Sequence, residues 1–320
     1  MLVPVLLFAV GLVLLIKGGD WFVDGASGVA KRFHVPELLI GATVVSIGTT
    51  LPEVMVSSIS AANGIGGVAY GNAVGSVICN TALISALTVA IRPAPVDRAT
   101  FKTPVGFFFG AAAVYLVTAY FFSFTRVVGV LLLAIFLIYM TMTVLQARKE
   151  MQSAPAEQTD EAGGSVWKDI GLLVIGAVFI AVGAKLLVDN GTKIAEALGV
   201  PDSVIGLTFV ALGTSLPELV TAISALAKGH GALSLGNIVG ANLFNLVLVG
   251  GLSITISPFE LPVEKTLAGF NASLLVDLPV MVTVMALLCL PALLCGKLKR
   301  WQGILLLAIY AGFCAFQFIV

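Results

Sequence analysis

The sequence predicts an all-α membrane protein of ten transmembrane helices, arranged as two inverted five-helix repeats. Composition is the first reason: 59% of residues are hydrophobic, 11% are charged, and the mean hydropathy is +1.08. A soluble domain carries about 25% charged residues. The second reason is a succession of apolar stretches, each near the roughly 20 residues that a spanning helix needs. The third is a motif that occurs twice. Gly48-Thr49-Thr50-Leu51-Pro52-Glu53 returns 165 residues later as Gly213-Thr214-Ser215-Leu216-Pro217-Glu218.

The ten apolar segments run 1–30, 36–62, 68–91, 103–122, 127–147, 167–195, 202–227, 232–257, 271–295 and 301–319. Residues 1–16 lack the basic leader and small-residue cleavage pattern of a signal peptide, so they are read as the start of the first span. Segment two opens after Val35-Pro36 and contains the first motif. Segment three carries Asn72, Ser76 and Asn80 at i, i+4 and i+8, a polar line down one helix face. Segments four and five are Phe-rich near 107–109 and 121–124, which suits lipid contact and interface anchoring. Segments six to ten repeat this order, with Thr208 and the second motif in segment seven and Asn237, Asn242 and Asn245 in segment eight. Cys79, Cys289, Cys295 and Cys314 lie in or at the ends of apolar segments, without disulfide or zinc spacing, and are read as packing residues.

Repeat boundaries follow from the offsets. The offset of 165 holds from about residue 10 to 80, pairing Val35-Pro36 with Val200-Pro201, Gly41 with Gly206 and Gly71-Asn72 with Gly236-Asn237. Later, Arg126-x-x-Gly129 matches Arg300-x-x-Gly303 at offset 174, the extra residues falling around 258–270. The first repeat is therefore 1–148 (motif region 41–80), the linker 149–166, and the second repeat 167–320 (motif region 206–245). Five spans per half is odd, so the halves enter the membrane in opposite senses.

Charge sets the orientation. Twelve of the 17 Lys and Arg fall in connections after odd-numbered segments; only Arg126, Lys193 and Lys265 lie on the other side, and Lys17 and Lys185 lie within helices. The positive-inside rule then puts the 148–166 loop in the cytoplasm and both termini outside. A net charge of zero gives no reason to expect nucleic acid as a partner. The chain is expected to reside in the cell membrane and to work as a monomer.

Glu53 and Glu218 are the only acidic residues in the interior of their apolar segments, Glu37 and Asp202 standing at the segment starts. A carboxylate at bilayer depth faces a cavity, an ion or a partner. The neighbouring Gly and Pro are expected to break the helices there and free backbone carbonyls. Paired broken helices in two halves point to an ion site at the midplane. Helix packing accounts for many of the Gly and Ser residues, but it gives no reason for two carboxylates. Every donor is oxygen, with no His or Cys among them, which argues against zinc or copper and for Ca²⁺, which takes 6–8 oxygens. Hydroxyls and amides can hold Na⁺ around the same carboxylates.

The segments Gly41 to Glu53 and Gly71 to Asn80, with their second copies, closely resemble the two α-repeats of the sodium/calcium exchangers in the cation/calcium exchanger superfamily, above all its small prokaryotic members. The resemblance covers nearly the whole chain, including Arg300-Trp301-Gln302-Gly303. It implies a core of segments two, three, seven and eight holding four cation sites. Glu53 and Glu218 with the carbonyls of Thr49 and Thr214 would bind Ca²⁺. The hydroxyls of Thr49, Thr50, Ser76, Thr214 and Ser215, with carbonyls at Ser46 and Ala211, would serve Na⁺. Asn80 and Asn245 would line the middle position. Segments one and six would slide across the core; their glycines (Gly11, Gly18, Gly19, Gly25, Gly176, Gly183, Gly191) are compatible with a smooth sliding face and equally with close packing. Two positions depart from the family pattern: Ala241 stands where a hydroxyl is expected opposite Ser76, and Asn245 where many relatives carry Asp.

The remaining polar residues are read as structural. Lys17, Asp20, Asp24, Lys185 and Asp189 suit snorkelling or pairs within one helix. Asp277 is placed at the outer headgroups, and His34 and His230 are solvated loop residues. The expected function is secondary active exchange of Ca²⁺ for Na⁺, with no cofactor and no covalent chemistry. The alternative is proton-coupled Ca²⁺ exchange, disfavoured because the family's proton-coupled members place a Glu after the Gly-Asn of segments three and eight. A channel fits two inverted halves poorly, and an intramembrane enzyme lacks a nucleophile–base pair.

Overall fold

The computed structural model describes residues 2–121, 123–153, 165–197, 211–261, 266–267 and 269–319. Its helices are α1 Leu2–Arg32, α2 Glu37–Ala62, α3 Gly66–Ile91, α4 Arg98–Phe121, α5 Arg126–Ser153, α6 Val166–Ala197, α7 Leu216–Ala227, α8 Gly231–Ile256, α9 Ser273–Cys295 and α10 Arg300–Ile319. Among the described residues, eight helices are long and apolar enough to cross a membrane, with the 12-residue α7 and α10 outside that set. The expected start of segment seven, with Val200-Pro201, Gly206 and Thr208, lies outside the described residues, as does most of the expected linker.

Boundaries sit close to those the hydropathy marks. α4 starts earlier, at Arg98, because Asp97 caps it, accepting from Ala99 N–H at 3.1 Å and Thr100 N–H at 3.3 Å. The Thr100 hydroxyl also donates to Asp97, and this contact first of all holds the Asp97 carboxyl below its usual value. α5 continues to Ser153 because Gln146, Arg148, Lys149 and Glu150 are good helix formers beyond the apolar run.

Burial separates centre from periphery. The apolar windows of α8, α3 and α2 are 83%, 72% and 56% buried, against 22% for α1, α5 and α6. Glycines let the central helices touch: Gly41 lies against the backbone of α8 at Asn237, and Gly236 against Leu38. A π-helical turn over Gly41–Val45 widens the start of α2, and Tyr139 of α5 donates to the Ala42 carbonyl there at 2.9 Å. The connections pair by end. Residues 94–96 bond 296–298, with Val96 N–H donating to Gly296 O and Leu298 N–H to Ala94 O, each at 2.9 Å. Phe124 and Phe259 exchange hydrogen bonds at 3.2 Å.

Element boundaries and contacts recur at the 165 offset. The α-helix Gly66–Cys79 and π-turn Asn80–Ser85 of α3 match Gly231–Phe244 and Asn245–Gly250 of α8. A Cβ on Gly11 would stand 2.9 Å from Gly183 O, and one on Gly18 would stand 3.0 Å from Gly176 O. Gly11 and Gly176 are 165 apart, as are Gly18 and Gly183, so the two contacts are swapped copies. Gly129 of α5 likewise lies against Gly251 and Thr255 of α8, while Gly303 of α10 lies against Ala86 and Ala90 of α3.

Of the two readings of the α1 and α6 glycines, the structure shows close packing. Gly11, Gly18, Gly176 and Gly183 bring α1 and α6 into backbone contact with each other, while Gly19 meets α7, at Val220 and Ser224. One expectation is corrected: Asp20 and Asp24 do not pair within α1. Lys228, just past α7, stands 2.7 Å from Asp24 Oδ1 and donates to Asp20 O at 2.9 Å. The longer reach wins because α1 packs on α7. Lys185 and Asp189 do pair within α6, at 2.9 Å.

The α1–α6 contact has a direct test. A Cβ at Gly176 would stand 2.6 Å from Phe22 N, whereas nothing lies within 4 Å of one at Gly171. Gly176→Leu should cost about 1–3 kcal/mol through overpacking, seen as a lower melting temperature in detergent, while Gly171→Leu should melt like the wild type. Equal melting of both variants would show that the two helices are not held this closely.

Candidate functional site

The first motif lies within a continuous helix. Residues Ser46–Ala62 are α-helical with Pro52 inside, which corrects the expected break: the bundle keeps the helix intact although Pro52 has no N–H for the Gly48 carbonyl. The distortion sits one turn earlier, in the π-turn. The second motif does break. Ser215 leaves helical geometry (φ −89°, ψ 3°), separating the turn Ala211–Thr214 from α7, which opens with Pro217 and Glu218 in its first turn. A proline is well placed there, its missing N–H being one that a helix start leaves free. The N-terminal end of a helix also favours negative charge, so Glu218 gains a support that mid-helix Glu53 does not have.

Both carboxylates are fully buried, and none of their four oxygens has a hydrogen-bond partner. They are near enough to each other to interact electrostatically, and the hydroxyls of Thr49 and Thr50 face Glu218. None of the ion pairs among the described residues includes either one. Other buried polar atoms without partners lie beside the motifs and on the helices packed against them: Thr50 Oγ1, Ser215 Oγ and both amide atoms of Asn80 on α3 and of Asn245 on α8. Each such atom costs about 1–3 kcal/mol unless something satisfies it, so their concentration around one carboxylate pair marks a site for a ligand. Asn80 and Asn245 each open a π-turn; the Asn80 turn packs on α7 and the Asn245 turn on α2. π-turns inside α-helices recur at functional sites.

Other predicted residues lie at the margin. Ser76 is buried on α3, and Ala241 is buried at the matching place on α8. Thr214 is part-buried. The Ser46 hydroxyl is committed to the α2–α8 contact, 2.8 Å from Gly41 O and 2.9 Å from Asn237 O. Ala211 begins the short turn before Ser215. Phe22 of α1 covers Gly48, and a small cavity between Phe22, Thr49, Pro52, Ile180 and Pro217 separates the motifs from α1 and α6.

Three residues had roles that composition and spacing did not reveal. Asn72 and Asn237 bond the motif threonines, Thr214 to Asn72 Oδ1 at 3.4 Å and Thr49 to Asn237 Oδ1 at 3.2 Å; their repetition at the 165 offset was the available signal. His230 is not a solvated loop residue. Its Nδ1 lies 2.7 Å from Glu37 Oε1, which also accepts from Ser27 of α1 at 3.2 Å. No sequence pattern marks that cluster, because its members are up to 203 residues apart. Asp277 is part-buried at the start of α9, accepting from Ser273 and Gln317, each at 2.9 Å.

The donor set is oxygen-rich, doubly acidic and closed to water, a setting that suits a desolvated cation. Comparison with known proteins agrees in kind. The sodium/calcium exchanger protein family matches residues 3–145 and 168–319. An uncharacterised membrane protein of Methanocaldococcus jannaschii is 38% identical over 309 residues, covering 95% of this chain and 94% of that protein. The sodium/calcium exchanger MaX1 of Methanosarcina acetivorans is 31% identical, with 98% of each chain covered. The solved structure of the sodium-calcium exchanger NCX_Mj soaked with Na⁺ and Sr²⁺ matches with a TM-score of 0.84 at 35% identity, over 98% of both chains.

Proposed function

The chain belongs to the sodium/calcium exchanger family, and from that premise we propose that it is a secondary active antiporter exchanging Ca²⁺ for Na⁺ by alternating access. The observation that carries the reading is the pair Glu53 and Glu218, buried with no cationic partner among the described residues and with only neutral hydroxyls facing Glu218. Two negative charges in an apolar bundle match one Ca²⁺, or Na⁺ ions shared among carboxylates and neutral oxygens. That the relative NCX_Mj was studied with Na⁺ together with Sr²⁺ or Ca²⁺ supports the same cargo here.

In this reading Glu53 and Glu218, with the carbonyls of Thr49 and Thr214, hold Ca²⁺. The hydroxyls of Thr49, Thr50, Ser76, Thr214 and Ser215 and the carbonyls of Ser46 and Ala211 serve Na⁺, and Asn80 and Asn245 line the middle. The protein crosses the membrane ten times in two inverted halves, 1–148 and 167–320. The swapped contacts at the 165 offset support that relation. The linker 149–166 is cytoplasmic, both termini are outside, and one copy suffices. α1 and α6, packed on each other, move together over the central helices.

Glu53→Gln and Glu218→Gln should each abolish Ca²⁺ binding in calorimetry while the protein stays folded. A unit charge pair at about 4 Å is worth about 4 kcal/mol at an effective dielectric constant near 20, on the order of a thousandfold in affinity. Wild-type affinity in both variants would remove the two-carboxylate site. In proteoliposomes, a Na⁺ gradient should drive Ca²⁺ uptake; uptake driven by a pH gradient alone would favour proton coupling.

A cysteine at Ser153, in a background without the four native cysteines, should react with an impermeant thiol reagent only from the cytoplasmic side. Reaction from outside would reverse the orientation.

Ala241→Ser adds a neutral oxygen where the family supplies one, and should tighten or steepen the Na⁺ dependence with little change for Ca²⁺. Asn245→Asp adds a third carboxylate, whose repulsion with the other two should make transport more pH-sensitive. Unchanged Na⁺ and pH curves would place both residues outside the site.

A further inference from the structure

Two asparagines outside the proposed ligand set stand behind it in matched positions. Asn72 of α3 accepts from Thr214 at 3.4 Å, and Asn237 of α8 accepts from Thr49 at 3.2 Å. Thr49 and Thr214 are 165 residues apart, as are Asn72 and Asn237, so each asparagine serves the motif of the opposite half.

The chemistry of a hydroxyl ligand gives these bonds a purpose. A Ser or Thr hydroxyl has one proton and two lone pairs. Only the lone pairs attract a cation, so the proton must point elsewhere. Beside a carboxylate an unanchored hydroxyl turns its proton toward that carboxylate, which then spends on the proton a lone pair that would otherwise face the cation. An amide oxygen on the far side takes the proton away and leaves the lone pairs facing inward. It does so without adding charge, which a carboxylate in the same place would not.

We propose that Asn72 and Asn237 are positioning residues that hold the hydroxyl protons of Thr214 and Thr49 away from the cation, so that each half orients the motif of the other. The proposal rests on the reading that these threonines face the transported ion.

The two clamps are unequal. Asn72 Nδ2 donates to Ser57 Oγ at 2.8 Å and to Glu53 O at 3.4 Å, which fixes its Oδ1 toward Thr214. The residue at the position of Ser57 in the other half is Ala222, buried, and Asn237 Nδ2 has no partner. Asn72 is therefore held through its Nδ2, whereas Asn237 is held only on its oxygen side, where Ser46 Oγ also donates to its Oδ1 at 3.3 Å. The Thr214 side of the site is pre-set through the amide nitrogen, and the Thr49 side depends on an amide whose nitrogen has no partner.

The test is a coupling measurement on purified protein in proteoliposomes, reading the half-saturating Na⁺ and Ca²⁺ concentrations of exchange. Thr214→Val and Asn72→Leu should each raise the half-saturating Na⁺ concentration about tenfold, the effect of one lost hydrogen bond. Ca²⁺ should shift less, because the carboxylates carry it. The double variant should be no worse than either single one. Asn72→Leu combined with Thr49→Val, which is not its partner, should multiply the two effects. Ser57→Ala should give a smaller shift in the same direction that vanishes when Thr214 is Val, and Ala222→Ser should lower the half-saturating Na⁺ concentration by locking Asn237. Should Asn72→Leu fail to fold, the two small substitutions decide the matter alone. If Asn72→Leu and Ser57→Ala keep their full effect in the Thr214→Val background, the asparagine acts through packing and the proposal is wrong. If Thr49→Val and Thr214→Val themselves leave both ion curves unchanged, the threonines do not face the ion and the assignment of the site fails with it.

Discussion

Everything in this bundle is arranged around two carboxylates that the protein itself does not neutralise. Burying one charge in an apolar interior costs several kcal/mol even after relaxation, about the margin by which a whole domain is stable. A lysine or arginine beside Glu53 or Glu218 would remove that cost, and the structure offers neither among the described residues. In the proposed exchange this absence is the coupling device. The site can move through the membrane only when cations fill it, so it cannot return empty, and one cargo has to replace another. A permanent internal partner would stabilise the fold and end the transport.

The contacts between halves set what can move. Thr49 with Asn237 and Thr214 with Asn72, Gly129 with Gly251 and Gly303 with Ala86, all cross from one half to the other. The central helices are therefore interlocked and cannot hinge along a boundary between halves. α1 and α6 stand apart from this. Their closest contacts are with each other, and their windows are only 22% buried. α1 is tied to the rest at one end through Lys228 with Asp24 and through Ser27 with Glu37 and His230. In the proposed exchange, a pair of helices joined by backbone contact and fastened to the core through polar groups at one end moves as a unit.

Hydropathy located the eight helices long and apolar enough to cross a membrane within a few residues, because one principle dominates there: a backbone in lipid must bond to itself. The acidic motifs and the residues beside them were legible for the same reason, since polar side chains are conspicuous in an apolar run. What did not show was direction. Gly11 and Gly18 suited a sliding face or close packing equally and face α6, because periodicity cannot say which neighbour a small residue meets. Nor did the first motif break where Gly48 and Pro52 suggested, because packing held the helix and moved the distortion to Gly41–Val45. The His230–Glu37–Ser27 cluster joins three distant segments through single residues, each ordinary in its own surroundings.

The halves share a backbone plan and differ in chemistry near the site, in both directions: Thr221 and Asn242 of the second half stand where the first has Val56 and Val77. Ser46, Ser57 and Ser76 of the first half correspond to Ala211, Ala222 and Ala241 of the second. Three hydroxyls are thus present around one motif and absent around the other. Glu53 stands mid-helix with its neighbours held in place; Glu218 stands in the first turn of a broken helix, where free N–H groups favour its charge. The second carboxylate is supported by the helix end and the first by surrounding side chains. A helix end cannot rearrange without unwinding, whereas hydroxyls can rotate. If the two halves open to opposite sides of the membrane, as the inverted arrangement proposes, the two openings are unequal: one is lined by adjustable neutral oxygens and the other by a fixed dipole. An exchanger built this way binds its cargo with different selectivity from each side while its backbone remains nearly two-fold.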